Sequence, residues 1–289
     1  MPSSIETLVQ DIYDLFTGGK IELNGKHLDN FTDAVSDIMK VQFEEERGPG
    51  NYLRMSNIGK PDRQLWYDIN WEGETEKFTG PNLIKFMYGH LIEQFVIFLA
   101  EQAGHKVEYK QREVDVLGIK GHIDCMIDGV VVDVKSASSM QFPKFEKGLL
   151  LEPGNDAFGY VAQLSGYRHA ISPDSPAAFL AVDKTLGKLA LLMVPNEHLD
   201  RYNVENRIVH AKDMVTWKEP PKRCYEPKEE GKSGNLILPV GCAYCKHKAH
   251  CWSDANGGRG LRVYGYSSGP KFFVKVVKEP RVDEYFPPV

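Results

Sequence analysis

The residues best equipped for chemistry fall in one stretch, Gly121-His-Ile-Asp124-Cys-Met-Ile-Asp128-Gly-Val-Val-Val-Asp133-Val-Lys135. Asp128-Gly129 is a two-residue turn signal between β-branched, apolar runs, the strongest short-range hairpin cue. Folding about that turn pairs Ile127 with Val130, Met126 with Val131 and Cys125 with Val132. It sets Asp124 opposite Asp133, and directly opposed residues have Cβ atoms about 4.5–5.5 Å apart, where like charges repel. Lys135 joins Asp133 on the same face by the two-residue period of a strand. The valines around Asp133 make this strand read as buried on both sides, and a carboxylate there is costly unless it is paired or metal-bound. Two acids and a lysine so placed suit a divalent cation beside a phosphate. Cys125 points to the opposite face and reads as a core thiol.

A third acid is available from the long helix predicted between Pro81 and Ala103, in Gly89-His-Leu-Ile-Glu93. Gly89 shares a helix face with Glu93 and would let another backbone approach closely. A later helix offers Tyr160, Gln163 and Tyr167 on one stripe, where core packing explains the tyrosines and not the glutamine. Arg54, Arg63 and Lys85 precede the site residues and are candidates for phosphate contacts.

A second cluster lies near the end of the chain. Cys242-x2-Cys245-x5-Cys251 gathers three thiols, and Lys246, Lys248 and His250 beside them would favour thiolates. Cys224 also falls late in the chain. Four thiolates suit either zinc or an iron–sulfur cluster.

The elements that must position these residues follow from periodicity. Residues 3–46 read as helical, broken near Gly18-Gly19 and Asn24-Gly25, and Gly48-Pro49-Gly50 reads as a loop. Val107–Val116 reads as a strand before the hairpin, residues 157–170 as a helix, and 179–182 and 188–194 as strands. A helix follows Pro195-Asn196 to about Trp217. The order predicts an α/β fold with a mixed central β-sheet flanked by helices. It divides into a helical N-terminal extension (1–50), a core (51–217) and a cysteine-rich C-terminal metal-binding segment (218–289).

Of 289 residues, 42% are hydrophobic and 26% charged, as in ordinary globular chains. No run of 18 uncharged apolar residues and no basic-then-apolar leader stands out, so no membrane partner and a cytoplasmic location are expected. The net charge of −5 does not advertise nucleic acid. Its distribution is more telling, since from Arg201 onward 16 Lys and Arg face 10 Asp and Glu, an excess that suits phosphate contacts or an ordinary solvated face.

The ordered set Gly89-x-x-x-Glu93, Gly121-His-Ile-Asp124, Asp133-Val-Lys135 and Gln163-x-x-x-Tyr167 resembles the PD-(D/E)XK nucleases, in particular their RecB-like and phage exonuclease branch. The resemblance spans roughly residues 54–253 and implies a restriction-endonuclease-like core in which a three-stranded meander follows the helix. It implies that Glu93, Asp124, Asp133 and the carbonyl of Val134 bind Mg²⁺ or Mn²⁺. Lys135 would orient water and neutralise the scissile phosphate, with Gln163 and Tyr167 supporting the site. The cysteine spacing resembles the C-terminal part of the iron–sulfur staple in that branch, whose fourth cysteine precedes the nuclease motifs; the matching segment here, 56–67, has none, with Asp62 in its place, which leaves Cys224 as the candidate fourth ligand. This implies a 4Fe–4S cluster, or Zn²⁺ in its place, pinning the tail to the core. The expected activity is a metal-dependent exodeoxyribonuclease acting on linear, single- or double-stranded DNA in a bacterial or phage-infected cell. The alternatives are a structure- or sequence-specific endonuclease and a non-catalytic, metal-stapled DNA-binding module. An oligomer is left open.

Overall fold

The structure is a computed structural model and describes residues 4–44, 51–73, 79–267 and 269–285. The predicted Gly48-Pro49-Gly50 loop lies outside them. In chain order the helices and strands begin with α1 (Leu8–Thr17), α2 (Gly25–Phe43), α3 (Asp62–Asn70) and α4 (Gly80–Gln102). Next come β1 (Val107–Glu108), β2 (Arg112–Val116), β3 (Ile119–Ile123), β4 (Cys125–Ile127) and β5 (Val130–Ala137). They are followed by α5 (Pro143–Glu146), α6 (Tyr160–Ile171), β6 (Ala177–Asp183), β7 (Leu189–Val194), α7 (Asn196–Asp200) and α8 (Val204–Met214). The tail carries β8 (Lys228–Glu229), β9 (Leu236–Ile237), short helical turns, β10 (Arg262–Tyr266) and β11 (Gly269–Lys275).

The chain divides into two compact units: residues 1–59 with 78–212, and residues 60–77 with 213–289. This differs from the three segments expected. The N-terminal helices join the core because Leu8 and Ile12 are buried among Val96, Ile97, Val132 and Leu180. Residues 60–77 leave it to form one unit with the tail.

The first unit holds a five-stranded sheet ordered β1-β4-β5-β6-β7, with β5 and β6 parallel and the other pairs antiparallel. This is the mixed sheet expected. Val130, Val132 and Val134 point into the cluster shared with α1 and α4, so Asp133 and Lys135 lie on the opposite face. The hairpin register is as predicted for Cys125–Val132, Met126–Val131 and Ile127–Val130. Asp128 (φ 49°) and Gly129 (φ 83°) are both left-handed, which a type I′ turn requires.

Three expectations fail here. The single strand Val107–Val116 is split, because Tyr109 (φ 56°) and Gln111 (φ 51°) break the extended path. β2 then pairs with β3 in a separate two-stranded ribbon, so no continuous three-stranded meander forms. The helix expected from 196 to 217 is divided into α7 and α8.

Among the described residues, α4 is long and apolar enough, by length and composition, to cross a membrane. Its C-terminal half, Val96 to Ala100, is buried in the first unit's core and Glu93 lies along it.

The second unit is built on α3 and a four-stranded antiparallel sheet ordered β10-β11-β9-β8. Its small core contains Leu238, Trp252 and Ala255, with Cys242 and Cys251 packed against them.

Candidate active site

The chain kinks at Asp124, between β3 and β4, and the ladder ends one pair short of Asp124–Asp133. Asp124 does not simply face Asp133 in register. Its carboxylate turns onto β5 and accepts the Val134 N–H at 2.7 Å. Asp133 is 1% exposed, with Lys135 Nζ 2.5 Å from Oδ2 and no hydrogen bond to Oδ1. A buried carboxylate oxygen with spare acceptor capacity is unusual and calls for a cationic or protic partner.

The electrostatics show that the three acids are neighbours. Burial pushes Asp124 well above the usual carboxylate range, and the charges of Asp133 and Glu93 push it further. Burial likewise raises Asp133, against the opposing pull of Lys135. Burial and then Asp133 raise Glu93 to about 7. Burial works to lower Lys135, but Asp133 and Asp124 overcome it and hold the lysine above its ordinary value. Lys135 is therefore a fixed positive charge at neutral pH rather than a proton acceptor. Glu93, and not the exposed His90, is the α4 residue turned to the acids.

Gln163 and Tyr167 meet as their helical spacing predicts: Gln163 Nε2 donates to the Tyr167 hydroxyl at 2.9 Å. Tyr167 is buried, and burial, with Asp133 and Asp124 nearby, raises its pKa. Gly121 has a steric reason to be glycine. A Cβ there would lie 2.5 Å from Met55 Cβ and 2.9 Å from the Tyr167 ring. That contact brings the β2–β3 ribbon onto α6. Gly89 does not have the expected role, since a Cβ there would meet only Ser136 Oγ at 3.7 Å and no backbone.

Sequence reasoning passed over Gln111 and underrated Tyr160. Gln111 donates its amide to Glu93 and its backbone N–H to the Asp124 carbonyl at 3.1 Å. Lys135 Nζ lies 4.7 Å from the centroid of Tyr160, a cation–π contact. Nothing in the residue type of Gln111 announces a left-handed turn; Tyr160 was visible on the α6 stripe and credited to packing.

Arg54 and Lys85 are exposed, as phosphate-contacting residues would be. Arg63 belongs to the second unit, and its guanidinium is spent there. It donates to Cys251 Sγ at 3.2 Å, Pro221 O at 2.6 Å and the Tyr67 hydroxyl at 3.2 Å.

In the second unit the four late cysteines gather, Cys224 included. Burial raises Cys242 to about 12 and Cys245 to about 11, and the other thiols of the group add to both shifts. Cys224 accepts backbone N–H groups of Arg63 and Gln64 at the start of α3, and Cys245 accepts that of His247. The basic residues expected to favour thiolates do other things. Lys246 pairs with Asp68 at 3.2 Å, Lys248 lies over Phe272 and His250 packs on Trp71.

In both clusters the donors are of the right kind and adjacent. Even so, no group of three or more His, Cys, Asp or Glu among the described residues is drawn around a point where it could hold a metal ion. Each acid of the first cluster is engaged by a donor of the chain instead: Asp133 by Lys135, Asp124 by Val134, Glu93 by Gln94 and Gln111.

No family model and no curated protein matches the chain. Among solved structures, the crystal structure of SSO0001 aligns with a TM-score of 0.37 and 13% identity, over 75% of this chain and 93% of that one. An alkaline exonuclease (LHK-Exo) from Laribacter hongkongensis aligns with a TM-score of 0.35 and 12% identity, over 55% of this chain and 91% of its own. Likeness at this level says nothing of function, which rests on the site.

Proposed function

We propose that the chain is a metal-dependent deoxyribonuclease that hydrolyses phosphodiester bonds at DNA ends. The observation that carries this reading is the meeting of Glu93, Asp124 and Asp133 with a lysine held protonated beside them. Three mutually repelling acids on separate elements cost stability, and a divalent cation would remove that cost. Glu93, Asp124, Asp133 and the Val134 carbonyl would hold Mg²⁺ or Mn²⁺. When bound, the cation supplies Lewis acidity toward water and the phosphoryl oxygens. Lys135 holds a phosphate oxygen by charge and neutralises what builds up as five-coordinate phosphorus forms. Water adds to phosphorus and gives up a proton, the bond to the deoxyribose oxygen breaks, and the leaving oxygen takes up a proton in return. Tyr167, fixed by Gln163, walls the acids from α6.

End-labelled linear DNA, single- and double-stranded, tests the reading when digested with Mg²⁺ or Mn²⁺ and with EDTA. Expected is loss of label only with the cation, and a closed circle left intact. Nicking of the circle would make the enzyme an endonuclease. No cleavage by protein that still binds DNA would leave a non-catalytic binding module. For the second unit we propose that Cys224, Cys242, Cys245 and Cys251 hold a 4Fe–4S cluster, or Zn²⁺ in the same place. The absorbance spectrum of anaerobically purified protein separates the two.

A further inference from the structure

The turn that brings Gln111 to Glu93 and Asp124 also holds an arginine out toward water. Tyr109 (φ 56°) and Gln111 (φ 51°) are both left-handed, and the Tyr109 carbonyl accepts the Arg112 N–H at 3.1 Å, which closes the turn. Lys110, between them, is tied to Glu101 at 2.7 Å. Arg112 opens β2 directly opposite Ile123, the residue before Asp124. The contacts that place two of the acids therefore place the backbone of Arg112 as well.

The side chain is held too. Its guanidinium carbon lies 4.5 Å from the centroid of the Tyr109 ring. Stacking of this kind uses the flat face of the guanidinium and leaves its fork of N–H groups outward, the edge that matches two oxygens of a phosphate. Arg112 is exposed, and among the described residues its guanidinium has no carboxylate or carbonyl partner. It borders a groove of about 280 Å³ between β2 and the end of α6, walled by Val114 and Ile171. The acids of that groove are committed, Glu113 to Lys120 at 2.8 Å and Asp115 to the Gly118 N–H at 2.7 Å. A guanidinium pre-positioned on a ring loses little freedom when an anion arrives.

We propose that Arg112, held on the face of Tyr109, binds a backbone phosphate of a nucleic-acid strand at a position other than the scissile one. Arg112 stands outside the acid cluster: the charges that act most on Glu93, Asp124 and Asp133 are one another's and those of Lys135 and Asp156. Lys135 serves the phosphate that is cut, and Arg112 a neighbour along the same strand. That the bound strand is also cut rests on the hydrolytic reading above; the phosphate contact rests on the turn, the ring and the groove.

Binding in EDTA, where no strand is cut, separates the two. Fluorescence anisotropy follows a labelled oligothymidylate and a labelled duplex as salt is raised. Each phosphate neutralised contributes about 0.7 to the slope of log Kd against log salt on a single strand, and about 0.9 on a duplex. Arg112→Gln should bind about tenfold more weakly at low salt and lose about that much slope. Arg112→Lys keeps the charge without the fork, so it should keep the slope and recover only part of the affinity. Lys120→Gln is the control, since it removes an equal charge from the same ribbon, one already paired with Glu113, and its slope should stay at the parent's. A parental slope in Arg112→Gln, or an equal loss in Lys120→Gln, overturns the proposal even if DNA is hydrolysed. So does a parent that binds neither strand, whatever it cuts. A slope lost in Arg112→Gln alone, with no strand hydrolysed by the parent in Mg²⁺ or Mn²⁺, sustains the contact and overturns the hydrolytic reading.

Discussion

Gln111 hands its side-chain amide to Glu93 from a backbone held in the left-handed region, at φ 51°. The same residue donates its N–H to the Asp124 carbonyl. One strained residue therefore ties two of the three acids together, although they come from α4 and from the kink before β4. Left-handed backbone costs a non-glycine residue about 1 kcal/mol. Such strain persists where its surroundings hold it, often at functional sites.

That relationship separates the backbone of Gln111 from its side chain. Gln111→Gly and Gln111→Ala both remove the amide, and each should raise the cation concentration for half-maximal activity roughly tenfold. They should differ in stability, since glycine relieves the left-handed strain and alanine keeps it. The thermal midpoint of Gln111→Gly should equal or exceed the parent's, while that of Gln111→Ala falls below it. A parental cation curve in both variants would show that the amide positions nothing.

Asp133→Asn keeps the shape of a side chain that is 1% exposed and removes its charge. Activity should fall by a thousandfold or more, about 4 kcal/mol of lost transition-state stabilisation. Lys135→Met should fall comparably, because the fixed cation facing the phosphate is gone. Far-ultraviolet circular dichroism should be unchanged in both. An active Asp133→Asn variant would remove Asp133 from the machinery.

The hairpin was legible because its signals are local. Asp128-Gly129 dictates the turn, and the alternation of valines with Asp133 dictates the face. The pairing Gln163–Tyr167 was legible for the same reason, since helical spacing alone brings the two together. The path between β1 and β3 was not. Tyr109 and Gln111 take left-handed backbone without being turn-forming types, so their strain answers to tertiary contacts rather than to propensity. The kink at Asp124 is of the same kind: it takes the residue out of register and onto the Val134 N–H. The division of the chain was hidden too. Residues 60–77 join the tail through Arg63, Tyr67 and Asp68, and contacts with partners about 150 to 190 positions away leave no periodic trace.

The raised pKa of Glu93 sets a direction for pH and cation together. Its folded value of about 7 lies above the unfolded value of roughly 4.3, so the folded state binds more protons between the two. Stability in EDTA should therefore fall as pH rises through that window. Asp124, raised in the same direction, adds to the fall. Divalent cations bind the deprotonated acids, so Mn²⁺ should raise the thermal midpoint more near pH 8 than near pH 5.5. Glu93→Gln should flatten part of the pH dependence. Equal stabilisation by Mn²⁺ at both pH values would speak against a cation at these acids.

The cysteine group makes its own prediction. With pKa values of about 12 and 11, Cys242 and Cys245 stay protonated at neutral pH unless a cation draws off their protons. Burial raises Cys224 as well, against the opposing pull of the two backbone N–H groups that tie its sulfur to the start of α3. Cys224→Ser should therefore cut the iron or zinc content of purified protein by at least half and lower the midpoint of the second unit's unfolding. Cys125→Ala is the matched control, because Cys125 is wholly buried in the first unit and its metal content should stay at the parent's. Metal analysis that finds neither element in the parent, or full content in Cys224→Ser, would reduce the group to four packed thiols.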